Sequence, residues 1–146
     1  MAIVGFDFTK LLVERKSAVK GKVNIKNNVS ITSVEKATLS LGDSKQSGLR
    51  FTFEFTAAYE PNLGKILIEG EVLDLRNDEK FVDKVIADWK KEKKVEQTLM
   101  TTLLNSVLSK CNIQALLLSK EINLPPPVPL PKLGVNPTKV DAGKDK

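Results

Sequence analysis

Leu49-Arg50-Phe51-Thr52-Phe53-Glu54-Phe55-Thr56-Ala57-Ala58-Tyr59 puts large apolar side chains on every odd position and mostly polar ones between them. A period of two over eleven residues is a half-buried β-strand, and its aromatic row must face something apolar. Upstream, Ile3–Arg15 reads as an opening strand with a break near Thr9-Lys10. Val23, Ile25, Val29, Ile31, Ala37, Leu39 and Leu41 all lie on odd positions, which predicts one long second strand. Asn27-Asn28 is polar enough to be a bulge inside that strand. Gly42–Gly48 reads as a turn, Glu60-Pro61-Asn62-Leu63-Gly64 as the next, and a fourth strand runs from Lys65 to about Leu75. Short turns favour antiparallel pairing, because parallel pairs need a long crossover.

The period then changes. Asn77 can cap a helix that carries Asp78 and Glu79 in its first turn and lysines at its end. Phe81, Val82, Val85, Ile86 and Trp89 share one face of it. Beyond Lys90-Lys91-Glu92-Lys93-Lys94, Val95, Leu99, Leu103 and Val107 form one column of a second helix. Met100, Leu104, Leu108 and Cys111 form an adjacent column; the apolar helical pattern runs on into Ile113–Leu118 and stops at Pro125, while Asn112 offers an earlier stop, since Asn tolerates the left-handed conformation. Four prolines in Pro125-Pro126-Pro127-Val128-Pro129 favour polyproline II. The predicted fold is therefore α+β: a four-stranded antiparallel sheet packed on a long C-terminal helix. One domain spans 1–133, and 134–146 is a polar flexible tail.

Several function classes are disfavoured by what the chain lacks. It has no histidine, so a His-based triad is impossible and the commonest metal ligand is missing. Its single cysteine, Cys111, excludes Cys-rich zinc sites and fits a reducing compartment. Neither a GxGxxG nor a GxxxxGK[ST] phosphate loop occurs. Glu69 and Glu71 share a strand face with Glu54 across from them, which reads as a solvated face rather than an acid–base pair. The expectation is a non-enzyme with no cofactor and no metal. A net charge of +5, without a basic stripe interleaved with aromatics, makes nucleic acid an unlikely partner. No apolar run reaches the roughly 18 residues of a membrane span, and Met1–Phe8 does not read as a signal peptide. The expected location is cytoplasmic.

What stands out is apolar excess. The fourth strand is apolar on both parities, and the arc of Leu99, Met100, Leu103, Leu104, Val107 and Leu108 is wider than one sheet requires. Large apolar patches mark interfaces, so these six residues are the expected oligomer contact. Phe51, Phe53, Phe55, Tyr59, Leu67 and Trp89 are the candidates for an apolar groove that binds other chains.

The order of elements resembles the SecB family of export chaperones. Phe6-Asp7-Phe8 to Val13-Glu14-Arg15 is similar to that family's opening strand. Leu49–Phe55 and Gly64–Val72 are similar to its third and fourth strands, and Leu99–Leu133 resembles its helix–Pro–helix end. The resemblance implies a homotetramer built as a dimer of dimers, with holdase activity towards unfolded or pre-export polypeptides. Two features depart from it. Residues 132–146 lack the Cys and His of the family's zinc-binding tail, which helps dock the SecA motor, and this chain is basic where the family is acidic. The alternative reading is a structural or regulatory oligomer whose apolar surface serves self-assembly only.

Overall fold

The computed structural model describes residues 3–18, 21–76 and 78–128. Strands β1 (Ile3–Arg15), β2 (Asn24–Leu41), β3 (Ser44–Glu60) and β4 (Gly64–Leu75) precede helices α1 (Glu79–Glu92) and α2 (Gln97–Glu121). The four strands form one antiparallel sheet in the order β1-β4-β3-β2. Two hairpins link β2, β3 and β4, so the segment after β1 carries the chain from one sheet edge to the other. The β2–β3 connection is only Gly42-Asp43, with Gly42 at φ 64°. That is far tighter than the turn expected over Gly42–Gly48, because Lys45, Gln46 and Ser47 already pair with β2.

One face of the sheet is the core. Phe51, Phe53, Phe55, Ala57 and Tyr59 of β3 and Ile66, Ile68 and Val72 of β4 are almost fully buried on it. Three register shifts interrupt the two edge strands, the first leaving Val4 as an extra residue between Ile3 and Gly5. Phe8 pairs with Gly70 and Lys10 with Glu69, leaving Thr9 as an extra residue where the sequence predicts a break. In β2 the shift lies at Thr32, between Ile31 and Ser33, and not at Asn27-Asn28, which pair in register with Ala57 and Thr56. The extra residue moves the inward positions from Val29 and Ile31 to Val34. Ala37, expected on the face of Val29 and Ile31, therefore pairs with Gly48 on the opposite one. The side chains of Leu39 and Leu41 lie outside those described.

Gly70 sits opposite Phe8 on one neighbouring strand and Phe53 on the other. Phe6, Phe8 and Phe53 crowd that position, with ring centroids 5.1–6.4 Å apart. A Cβ on Gly70 would lie 2.5 Å from Phe53 Cζ and 2.4 Å from the Asp7 carbonyl oxygen. The missing side chain is the space the Phe53 ring fills.

Helix α1 lies over β2 and β3 and buries Val82 and Val85. Its cap is Asp78, whose side chain accepts the Phe81 N–H at 3.2 Å; the cap expected at Asn77 lies outside the described residues. Arg76 ties the end of β4 to α1: its guanidinium lies 3.7 Å from the buried Asp74 carboxylate and 4.2 Å above the Phe81 ring. Helix α2 packs across all four strands. The Glu96 carboxylate caps it, accepting the Thr98 and Leu99 N–H groups, and those bonds hold its carboxyl below the usual range.

Asn112 does not stop α2; it lies inside the helix, half-buried. The residue that takes the left-handed conformation is Asn123, at φ 59°. The Leu124 N–H donates to Ser119 O and the Asn123 N–H to Lys120 O, the paired bonds of a Schellman motif. Leu124 is buried, and Pro125 follows, where no helix can resume.

Gly70→Ala should lower stability by about 1–3 kcal/mol through overpacking of the Phe53 ring. A urea midpoint equal to that of the parent would refute this account of the aromatic cluster.

Candidate binding surface

Exposure along α2 follows the residue number in steps of four. Leu99, Leu103, Val107, Cys111, Ala115 and Ser119 are all buried. The next row, Met100, Leu104, Leu108, Asn112 and Leu116, is half-exposed throughout. The row opposite the core, Gln97, Thr101, Asn105, Ser109, Ile113, Leu117 and Glu121, is exposed throughout. An i, i+4 row is inclined to the helix axis by about 26°, so a helix that packs along one crosses the strands obliquely. This explains how one helix touches every strand.

The six expected interface residues therefore divide. Leu99, Leu103 and Val107 are spent on the chain's own core, with 5%, 0% and 0% exposure. Met100, Leu104 and Leu108 flank that core and keep an open side. The sequence reading missed Ile113 and Leu117, which are 61% and 51% exposed. Their signal was present: they stand four apart in Ile113-Gln114-Ala115-Leu116-Leu117-Leu118, a run apolar on more than one side of a helix. A stop at Asn112 would have removed them from the helix.

The six groove candidates do not come together. Phe51, Phe53, Phe55 and Tyr59 are 0–1% exposed on the core face, covered by the helices and, at Tyr59, by the segment after α2. Leu67 is half-exposed on the opposite face, paired with Leu12 of β1 and Thr56 of β3. Trp89 is half-buried on α1, its ring 5.6 Å from the Lys93 ammonium. As a groove lining, the four core aromatics are already occupied by these elements. The opposite sheet face is mainly polar, with Glu54 beside Glu69, Glu69 beside Lys10, and Asp7 beside Glu71.

A second feature lies at the far end of α2. The segment after the Schellman turn runs back over the start of β2 and the end of β3. The Tyr59 hydroxyl donates to the Pro125 carbonyl, and Asn27 Nδ2 donates to the Pro127 carbonyl at 2.8 Å. A cleft of about 390 Å³ opens beside it, lined by Val23, Ile25, Asn27, Pro126, Pro127 and Val128.

Two buried ionisable groups, Cys111 and Tyr59, are held in their neutral forms. Burial pushes the Cys111 thiol up to about 12, so it stays protonated and inert. Burial likewise pushes the Tyr59 phenol up to about 12, which keeps it a donor. Among the described residues no helix is long and apolar enough to cross a membrane. In comparisons with family models, curated proteins and solved structures, nothing matches this chain.

Leu103→Ala should cost about 2–5 kcal/mol by opening a core cavity. Leu117→Ser should change stability by no more than about 0.5 kcal/mol. Equal losses in urea unfolding would contradict the division of α2 into rows. The Tyr59 phenol gives a pH test. Its pKa is raised in the fold, so its stabilising contribution is complete below pH 10 and is lost as pH rises towards about 12. The urea midpoint of the parent should therefore fall relative to that of Tyr59→Phe across that window. A constant difference between the two would refute the burial of the phenol.

Proposed function

We propose that this chain is a non-enzymatic, SecB-like holdase that keeps unfolded or pre-export polypeptides from aggregating. The observation that carries the reading is the exposed apolar end of α2, at Ile113 and Leu117, beside the half-exposed Leu116. Apolar contact suits a holdase, because it is worth about 25 cal/mol per Å² and makes no directional demand on the client's sequence. The order of four strands followed by a long helix also supports the resemblance.

On this reading Met100, Leu104 and Leu108 pack copies of the chain together as a homotetramer, a dimer of dimers. Several modest apolar sites in one assembly then act with avidity. The +5 charge adds a salt-sensitive attraction to acidic segments. A cytoplasmic location follows from the same reading. The second reading, self-assembly alone, is favoured by the continuity of the half-exposed row from Met100 to Leu116, which is the form of a helix–helix seam.

Stoichiometric protein should suppress aggregation of a denatured, unrelated chain, and about 0.5 M salt should leave most of that effect, because screening removes only the charged part. Leu117→Asp should weaken client holding about tenfold and leave the assembly intact, whereas Leu104→Asp should dissociate it. An intact oligomer that protects no unfolded chain would leave self-assembly as the function.

A further inference from the structure

The proline segment that closes the fold is held in an unusual way. Residues 124–128 add no strand to the sheet, and no backbone ladder bonds fix them. Their two long-range polar contacts are both made by side chains of the sheet reaching backbone carbonyls, Tyr59 to Pro125 and Asn27 to Pro127. Leu124 and Pro127 are buried, while Pro126 between them is exposed. The buried side chains thus stand three apart, the repeat of a polyproline II turn, and the carbonyls of Pro125 and Pro127 are captured.

Such a site reads almost nothing about the identity of the segment. A backbone carbonyl is present in every residue, and the inward side chains need only be apolar. The receiving surface is rigid, because Tyr59 and Asn27 stand on neighbouring strands in register, with Ile25 opposite Tyr59 and Asn27 opposite Ala57. A cleft of about 390 Å³ continues from it past Val23 and Ile25.

We propose that the sheet end formed by Val23, Ile25, Asn27 and Tyr59 is a binding site for an extended, proline-containing apolar segment of another polypeptide. Residues 125–128 act as an intramolecular strap that occupies it. The occupant's chemistry is that of the strap itself: no backbone N–H is required, since three of the strap's four residues are prolines that have none. The strap competes at high effective concentration, so only segments that match it, or that are presented in several copies, displace it. Its stiffness is part of that competition, because prolines lose little conformational freedom on binding. The proposal deepens the holdase reading and takes its occupant, an unfolded chain, from it.

The test uses the full chain and a fluorescein-labelled peptide with the sequence of residues 122–132. Fluorescence anisotropy should show weak binding to the parent chain. Binding should be at least tenfold tighter to Pro125→Gly/Pro126→Gly/Pro127→Gly, whose strap is loosened while Asn27 and Tyr59 remain. Adding Tyr59→Phe should weaken that binding several-fold, because one carbonyl loses its donor. Pro126→Gly alone, at the exposed position, is the milder variant should the triple one fold poorly, and it should give a gain of a few-fold. Equal affinity for the parent and the loosened chains would overturn the proposal, as would indifference to Tyr59→Phe. Aggregation suppression by the same proteins separates this from the holdase reading. Clients held equally by all variants, with no gain in peptide binding, would sink the strap and keep the holdase. Peptide gain without any client protection would do the reverse.

Discussion

The contact between the Phe51–Phe53–Phe55–Ala57–Tyr59 side of β3 and the Leu99–Leu103–Val107–Cys111–Ala115 row of α2 determines where everything else must lie. A strand offers its side chains to one face every second residue, and a helix offers an i, i+4 row inclined to its axis. Matching the two sets the helix obliquely across the sheet, so that it reaches all four strands. Full burial of a Val, Leu, Ile or Phe side chain is worth about 1.5–3 kcal/mol, and fourteen such residues in one contiguous core anchor the arrangement.

Because a single row is enough to cover the sheet, the rest of α2 is released from the core. In its first half the outermost row is polar: Gln97, Thr101, Asn105 and Ser109. In its second half that row turns apolar at Ile113 and Leu117, with no described element of this chain against it. Nothing in the packing of the described residues calls for this change. On the reading proposed above it serves contact with other chains, and the change of character along one row separates it from the scattered exposed leucines common on any surface.

The strands were legible because period two is a strong signal and the turns carry Gly, Pro and Asn. The break at Thr9-Lys10 was legible too. The bulge in β2 was not: Thr32 is flanked by Ile31 and Ser33, and the small polar Ser30, Thr32 and Ser33 fit either face, so the pattern held no mark of the phase change. The helix end shows how a sound rule can select the wrong residue. Asn does take the left-handed conformation that ends α2, but at Asn123 and not at Asn112. Asn112 is followed by more apolar residues at helical spacing, whereas Asn123 has Pro125 two places on, and proline's missing N–H decides between them. The aromatic row was read correctly as facing something apolar. What covered it could not be read from an alternating strand, because a core and a groove ask the same residues of a sheet. The answer lay in the length of α2, which the misplaced stop had shortened.

The strap completes this logic at the one place where the helix runs out before the sheet does. Past Glu121 the core face still extends to Ile25 and Tyr59, and a phenol left there without an acceptor would cost about 1–3 kcal/mol. A helix could not supply that acceptor, since its carbonyls are committed along its own axis. A β-strand could not lie there either, because the face of a sheet has no hydrogen-bonding edge. An extended proline segment meets both conditions: its carbonyls point sideways and are uncommitted, and it brings almost no donors that would need partners. On the proposal made above, the same residues that let the chain close its own core with such a segment would receive a similar segment from elsewhere, so that closure of the fold and recognition of a client would be, at this site, the same chemistry.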